Sequence, residues 1–107
     1  MSDDVLTELA AIIRDRRSAS AEQSYTKSLL EAGPPRCARK FGEEALETVV
    51  AALGDDPSAL KAEAADVLYH LLVLLEVRGV AIEDVLAVLR ARQATSGHAE
   101  KASRRTK

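Results

Sequence analysis

The sequence predicts an all-α domain, with four main helices per chain forming a helical bundle that a second copy completes. Three observations carry this. The 107 residues include 19 Ala and 14 Leu but only three aromatic side chains, Tyr25, Phe41 and Tyr69. That mix favours helices over strands. Apolar residues recur at helical spacing, and no segment shows convincing strand alternation. The length is that of one domain, and so short and aromatic-poor a chain has little bulk for a private core. A homodimer or higher homo-oligomer is therefore expected. Residues 1–93 read as one folded domain and residues 94–107 as a basic, flexible tail.

The first helix is expected over residues 3–17, because Val5, Leu9, Ile12 and Ile13 share a face. Residues 18–35 are polar, with a short helix around Thr26 to Ala32 closed by Gly33, Pro34 and Pro35. So long a connection in a small domain is usually functional or mobile. The second helix is expected over 36–53, with Leu46, Val49, Val50 and Leu53 as its apolar face and Gly54 as its end. Asp56 can cap the third helix, and Pro57 suits its first position. That helix should run to about Arg78, where Gly79 stops it. It is apolar nearly all round from Val67 to Val77, which implies burial on several sides, partly against a second subunit. The fourth helix is expected over 82–92, with Val85, Leu86 and Leu89 inward. Its start is poorly capped, since Ala81 has no side-chain acceptor.

Several classes are excluded early. Cys37 is the one cysteine, so an intramolecular disulfide and a Cys-rich zinc site are both out. The opening MSDDVLTE has neither the basic nor the apolar region of a secretory signal. No apolar run approaches a membrane span. A cytoplasmic protein with no membrane and no nucleic-acid partner is the expectation, since a chain-wide basic footprint is absent. The net charge of −2 hides an uneven spread. Residues 90–107 hold six basic groups and one acid, whereas 43–66 hold seven acids and only Lys61.

That acidic excess has a pattern. Glu44 and Glu47 are three apart, and so are Glu63 and Asp66, so each pair shares a helix face. An antiparallel hairpin about residues 54–57 sets Glu47 level with Glu63 and Glu44 level with Asp66. The two levels are about 4.5 Å apart at the helical rise. Four carboxylates would converge on one small volume, with Glu43 beside them. Like charges about 4 Å apart repel by a few kcal/mol even at an effective dielectric of about 20. Lys40 and Lys61 are too few to compensate. Either the carboxylates splay into water or they hold a cation. All-carboxylate ligation suits Mg²⁺ or Mn²⁺, and Mg²⁺ is often completed by substrate phosphates. A di-iron bundle site would need Glu-x-x-His pairs, and neither His70 nor His98 follows a Glu at that spacing.

The pattern Glu43-Glu44-x-x-Glu47 followed by Glu63-x-x-Asp66 resembles the signature of the all-α NTP pyrophosphatase (MazG-like) superfamily. The segments SYTKSLLEAG, KFGEEALETVVAAL, EAADVLYHLLVLLEVRGV, EDVLAVLRAR and SGHAEKASR are similar to the phosphoribosyl-ATP pyrophosphatase family within it. The resemblance covers nearly everything after residue 20. It implies Mg²⁺-dependent hydrolysis of the α–β phosphoanhydride bond of 1-(5-phosphoribosyl)-ATP, the second step of histidine biosynthesis. It also implies Glu44, Glu47, Glu63 and Asp66 as metal ligands. Glu43 would be a further ligand or the group that orients the attacking water. Phe41 and Ala81 depart from the expected pattern without touching the acids.

The resemblance also singles out phosphate- and nucleotide-binding candidates. Lys40 precedes Glu44 by four, which suits either a surface ion pair or a phosphate contact. Tyr25, Thr26 and Lys27 are an ordinary helix start or a nucleotide contact. Arg92, Lys101 and Arg104 are a solvated tail or a phosphate clamp. His70 and Tyr69 are expected as packed residues, and Cys37 as a plain helix-start residue. Two rival functions remain at this point: a housecleaning (d)NTP pyrophosphatase of the same superfamily, and a non-catalytic helical dimerisation module.

Overall fold

The computed structural model describes residues 4–94, which form five α-helices and one 3₁₀ turn, with no strand among them. Helix α1 spans Val5–Asp15 and runs into the 3₁₀ turn Arg16–Ser18. Helix α2 is Tyr25–Ala32, α3 is Pro34–Ala52, α4 is Pro57–Val77 and α5 is Ile82–Gln93. The architecture is thus all-α, with the short segment between the first two main helices a full helix in its own right. The expected 94–107 tail falls almost wholly outside the described residues, together with residues 1–3.

Local chemistry sets the boundaries. Asp4 caps α1: its Oδ1 accepts from the Thr7 N–H at 3.2 Å and its Oδ2 from the Thr7 hydroxyl at 2.7 Å. Those hydrogen bonds hold the Asp4 carboxyl below its ordinary value. Ser24 caps α2 by accepting from the Lys27 N–H at 3.1 Å. Gly33 ends α2 and starts α3 at once, with φ +92°, a left-handed value that a side chain would strain. Pro34 then fits the first turn of α3, where no helical N–H donor is needed. Asp56 caps α4 through the Ser58 N–H at 3.0 Å, as its place before Pro57 implies. Gly79, at φ +74°, closes α4: its N–H reaches the Glu76 carbonyl, and the Val80 N–H reaches the Leu75 carbonyl at 2.9 Å.

Helix α4 is the centre of the domain, packed by α1, α2 and α3. The core gathers Ile13, Leu29, Leu30, Cys37, Leu72, Val73 and Ile82. All of these lie around the C-terminal half of α4 and the start of α3. Between residues 38 and 69 no residue is buried. The far halves of α3 and α4 therefore form a two-helix arm standing out from the core. Along the arm Leu46, Val49, Val50 and Leu53 remain 64%, 56%, 64% and 83% exposed.

Other packing expectations are corrected. Leu6, Leu9 and Ala10 pack with Ile13 on the core, whereas Val5 and Ile12 are exposed. The inward face of α1, which packs on α4 and α5, is thus Leu6, Leu9, Ala10 and Ile13 rather than the expected one. Val85 and Leu86 pack against the core, but Leu89 is exposed. Cys37 is fully buried, and its thiol donates to the Leu29 carbonyl at 3.2 Å. Burial pushes that thiol up from its ordinary pKa, so it is an inert core group.

Candidate metal and phosphate site

The site lies where the arm leaves the core. A helical hairpin brings together residues whose numbers sum to a constant, and the turn at 54–56 sets that constant near 110. The electrostatic neighbours across the α3–α4 seam follow this rule. Glu63 feels Glu47, Glu44 feels Asp66, and His70 feels Lys40. The next level down pairs Cys37 with Val73, both fully buried in the core. The seam therefore reads in layers: two of carboxylates, one of Lys40 and His70, then dry core.

Glu44, Glu63 and Asp66 each offer a carboxylate oxygen, and the three oxygens lie within 4.8 Å of one another. Glu44 Oε1 and Glu63 Oε1 are buried with no hydrogen-bond partner among the described residues. A buried carboxylate oxygen with no donor is costly. Desolvation, then the charges of Glu47 and Asp66, raise the Glu44 pKa above its ordinary value. Desolvation, then Glu47, raise that of Glu63. These groups lack positive charge. Among the described residues, Lys40 is the cation paired with these acids, with Nζ 3.6 Å from Glu43 Oε1 and 3.9 Å from Glu44 Oε2. Two orphaned oxygens, mutual repulsion and an all-oxygen donor set fit a hard divalent cation.

The five acids do not play equal parts. Glu44, Glu63 and Asp66 converge. Glu47 lies outside that group but is close enough to perturb both glutamates. Glu43 is half-exposed and paired with Lys40. Lys40 thus makes the surface pairs expected of its spacing while standing one layer below the convergent carboxylates.

The α2 candidates are docked on the domain. The Thr26 hydroxyl hydrogen-bonds the Tyr69 hydroxyl. The Lys27 ammonium donates to the Arg17 carbonyl at 2.5 Å and lies 3.9 Å from Glu31. Tyr25 is exposed, with its ring edge-on to His70 at 6.2 Å. The Thr26–Tyr69 and Tyr25–His70 contacts hold the first turn of α2 against α4 one turn below Asp66, and Lys27 ties it to the 3₁₀ turn. Arg92 sits in the last turn of α5, which packs on α1. Lys101 and Arg104 lie outside the described residues. The residue that reading by type undervalues is His70. A histidine in an apolar run reads as core, and it is buried, yet its Nδ1 has no hydrogen-bond partner among the described residues. Its position, seven after Glu63 and four after Asp66, places it on the carboxylate stripe of α4.

The family pattern described as phosphoribosyl-ATP pyrophosphohydrolase matches residues 6–93. The chain is 53% identical over 100 residues to a phosphoribosyl-ATP pyrophosphatase of Cereibacter sphaeroides, covering 94% of this chain and 97% of that relative. It is 50% identical over 104 residues to one from Zymomonas mobilis, covering 97% of each. It is 51% identical over 106 residues to one from Azorhizobium caulinodans, again covering 97% of each. An acidic helical hairpin on an all-α frame, matched from end to end by these relatives, leads to one assignment: the chain belongs to the phosphoribosyl-ATP pyrophosphohydrolase family.

Proposed function

We propose that this chain hydrolyses the α–β phosphoanhydride bond of 1-(5-phosphoribosyl)-ATP to phosphoribosyl-AMP and pyrophosphate, in histidine biosynthesis, with Mg²⁺ as its metal and Mn²⁺ as a substitute. The observation that carries this reading is the convergence of three carboxylate oxygens within 4.8 Å in a chain of this family. Glu44, Glu63 and Asp66 would hold the metal, and Glu47 would join them by a small side-chain movement. When bound, the metal neutralises triphosphate charge, polarises the scissile bond and makes a nearby water more acidic. Phosphoryl transfer asks mainly for positioning and charge neutralisation, so no protein nucleophile is needed.

The remaining roles follow from placement. Glu43 is half-exposed at the rim, where its carboxylate can accept a hydrogen bond from the attacking water. Lys40 pairs with Glu43 and Glu44 in the free chain and would turn to a phosphate oxygen when the carboxylates are neutralised. Tyr25 offers an exposed ring beside this layer for the nucleotide.

The same reading includes a homodimer. The apolar stripe of Leu46, Val49, Val50 and Leu53 needs cover, and a second copy of the arm would make a four-helix bundle. Glu47 shares α3 with that stripe, so the partner would wall the site and exclude water from it.

The test is pyrophosphate release from phosphoribosyl-ATP with Mg²⁺, with and without EDTA, beside dCTP and dUTP. The proposal requires release from phosphoribosyl-ATP that EDTA abolishes. Release from the deoxynucleotides alone would establish a housecleaning enzyme instead. No release from any of them would leave a helical dimerisation module.

A further inference from the structure

Three buried side-chain polar atoms lack a hydrogen-bond partner among the described residues: Glu44 Oε1, Glu63 Oε1 and His70 Nδ1. All three belong to adjacent layers of one seam. The first two are accounted for by a cation. The third is not, because His70 lies one layer below the convergent carboxylates, level with Lys40. His70 is only 6% exposed and is held by two edge-on rings, Tyr69 at 4.9 Å and Tyr25 at 6.2 Å. Tyr69 is itself tied to Thr26. An imidazole fixed this firmly, with one nitrogen buried and unpaired, is costly unless a ligand meets it.

Mg²⁺ and Mn²⁺ keep water ligands when protein supplies only a few carboxylates. Such waters are strong hydrogen-bond donors. A neutral imidazole offers one nitrogen as an acceptor. We propose that His70 is a positioning residue of this site: its Nδ1 would accept a hydrogen bond from a water of the cation's hydration shell and so hold the hydrated cation in place against the carboxylates. The inference rests on the metal-dependent reading above and adds a residue to it. Burial, then the Lys40 ammonium, hold the imidazole below its ordinary pKa, which suits an acceptor. The Tyr25–His70–Tyr69–Thr26 contacts then have a purpose. They lock the ring through α2, which explains why the first turn of α2 is docked on α4.

The test uses side chains that differ in where they put a polar atom. Asn places one where Nδ1 stands, Gln places one nearer Nε2, and Phe fills the volume with none. Two readouts are needed: Mn²⁺ affinity of the substrate-free chain, by water-proton relaxation, and kcat and KM for pyrophosphate release. His70→Phe and His70→Gln should weaken Mn²⁺ binding and lower kcat by about 10- to 100-fold each, the range typical of lost partners of metal ligands. KM should change less than about threefold, because the substrate is not the partner. His70→Asn should restore both to within about fivefold. If Mn²⁺ affinity is unchanged in His70→Phe, the proposal fails. It also fails if all three variants lose function alike, which would mark a packing role. A rise in KM alone would make His70 a substrate contact and overturn it. Should the wild type release no pyrophosphate, the functional reading falls, while the Mn²⁺ arm still decides the role of His70.

Discussion

Replacing Val50 by Lys tests whether a second copy covers the arm. Complete burial of a Val or Leu side chain stabilises by about 1.5–3 kcal/mol. Leu46, Val49, Val50 and Leu53 keep 56–83% of their surface in a single chain. Each thus retains roughly two-thirds of that gain, or about 1–2 kcal/mol. Four per protomer, counted on both, come to about 8–16 kcal/mol, against an association cost of about 4–15 kcal/mol. The two ranges overlap, so a dimer held by this stripe would rest on a narrow margin and be sensitive to a single change. In a symmetric dimer Val50→Lys acts twice. It removes about 2–4 kcal/mol of apolar burial and adds two ammonium groups that must be desolvated or displaced. The dissociation constant should rise by at least about 100-fold. Light scattering should give about twice the 11.5 kDa chain mass for the wild type and the single-chain mass for the variant. Helix content should hold, since Val50 touches little of its own chain. A wild type of single-chain mass at all accessible concentrations would refute the reasoning, as would a variant that stays dimeric.

The other predictions concern the carboxylates and the core. Glu44→Gln should raise the melting temperature in EDTA, because it removes one charge from a repelling group. The same change should abolish the stabilisation that Mg²⁺ gives the wild type and most of the turnover, as thermal scans with and without Mg²⁺ would show. Stability should also depend on pH in a defined sense. Desolvation and neighbouring acids raise Glu44 and Glu63, so the folded chain binds more protons than the unfolded one above the ordinary carboxylate range. With chelator present, these two acids should therefore contribute more stability as pH falls from neutrality toward that range, against an opposite contribution from His70, whose imidazole burial holds below its ordinary pKa; the wild type should thus gain stability on acidification relative to Glu44→Gln, which urea titrations of the two would check. Leu29→Ala, at a fully buried site, should cost about 2–5 kcal/mol and lower the melting temperature by roughly 10 °C or more, measured by circular dichroism.

Much of this was legible in the residues, for physical reasons. Gly54 and the Asp56-Pro57 cap fix where the hairpin turns, and the helical rise then fixes which acids meet. That is why Glu47 with Glu63, and Glu44 with Asp66, could be paired from numbering alone. The finer division among the acids was not legible. Glu47 shares a face of α3 with Glu44, and which side-chain rotamer brings a carboxylate oxygen into the seam has no trace in spacing. The short helix over Thr26 to Ala32 and its Gly33 stop are legible, but its docking through Thr26 and Tyr69 is not, since a polar first turn does not name its neighbour. The inward faces of α1 and α5 were misplaced at Ile12 and Leu89, since an apolar stripe does not say which neighbour approaches it. The α3 stripe shows the opposite case. Its spacing gives an apolar face, and in one chain that face is bare, because no other element among the described residues reaches it.

The measurement that bears most directly on the central claim is a Mg²⁺ titration of pyrophosphate release from phosphoribosyl-ATP by the wild type and by Asp66→Asn. Asp66 is exposed, so the substitution should leave the fold intact, which circular dichroism can verify. The account predicts a fall in turnover of at least about 100-fold, the upper end of what losing a mere partner of a metal ligand costs, with a much higher Mg²⁺ requirement. Wild-type turnover with an unchanged Mg²⁺ requirement in a folded Asp66→Asn would contradict it.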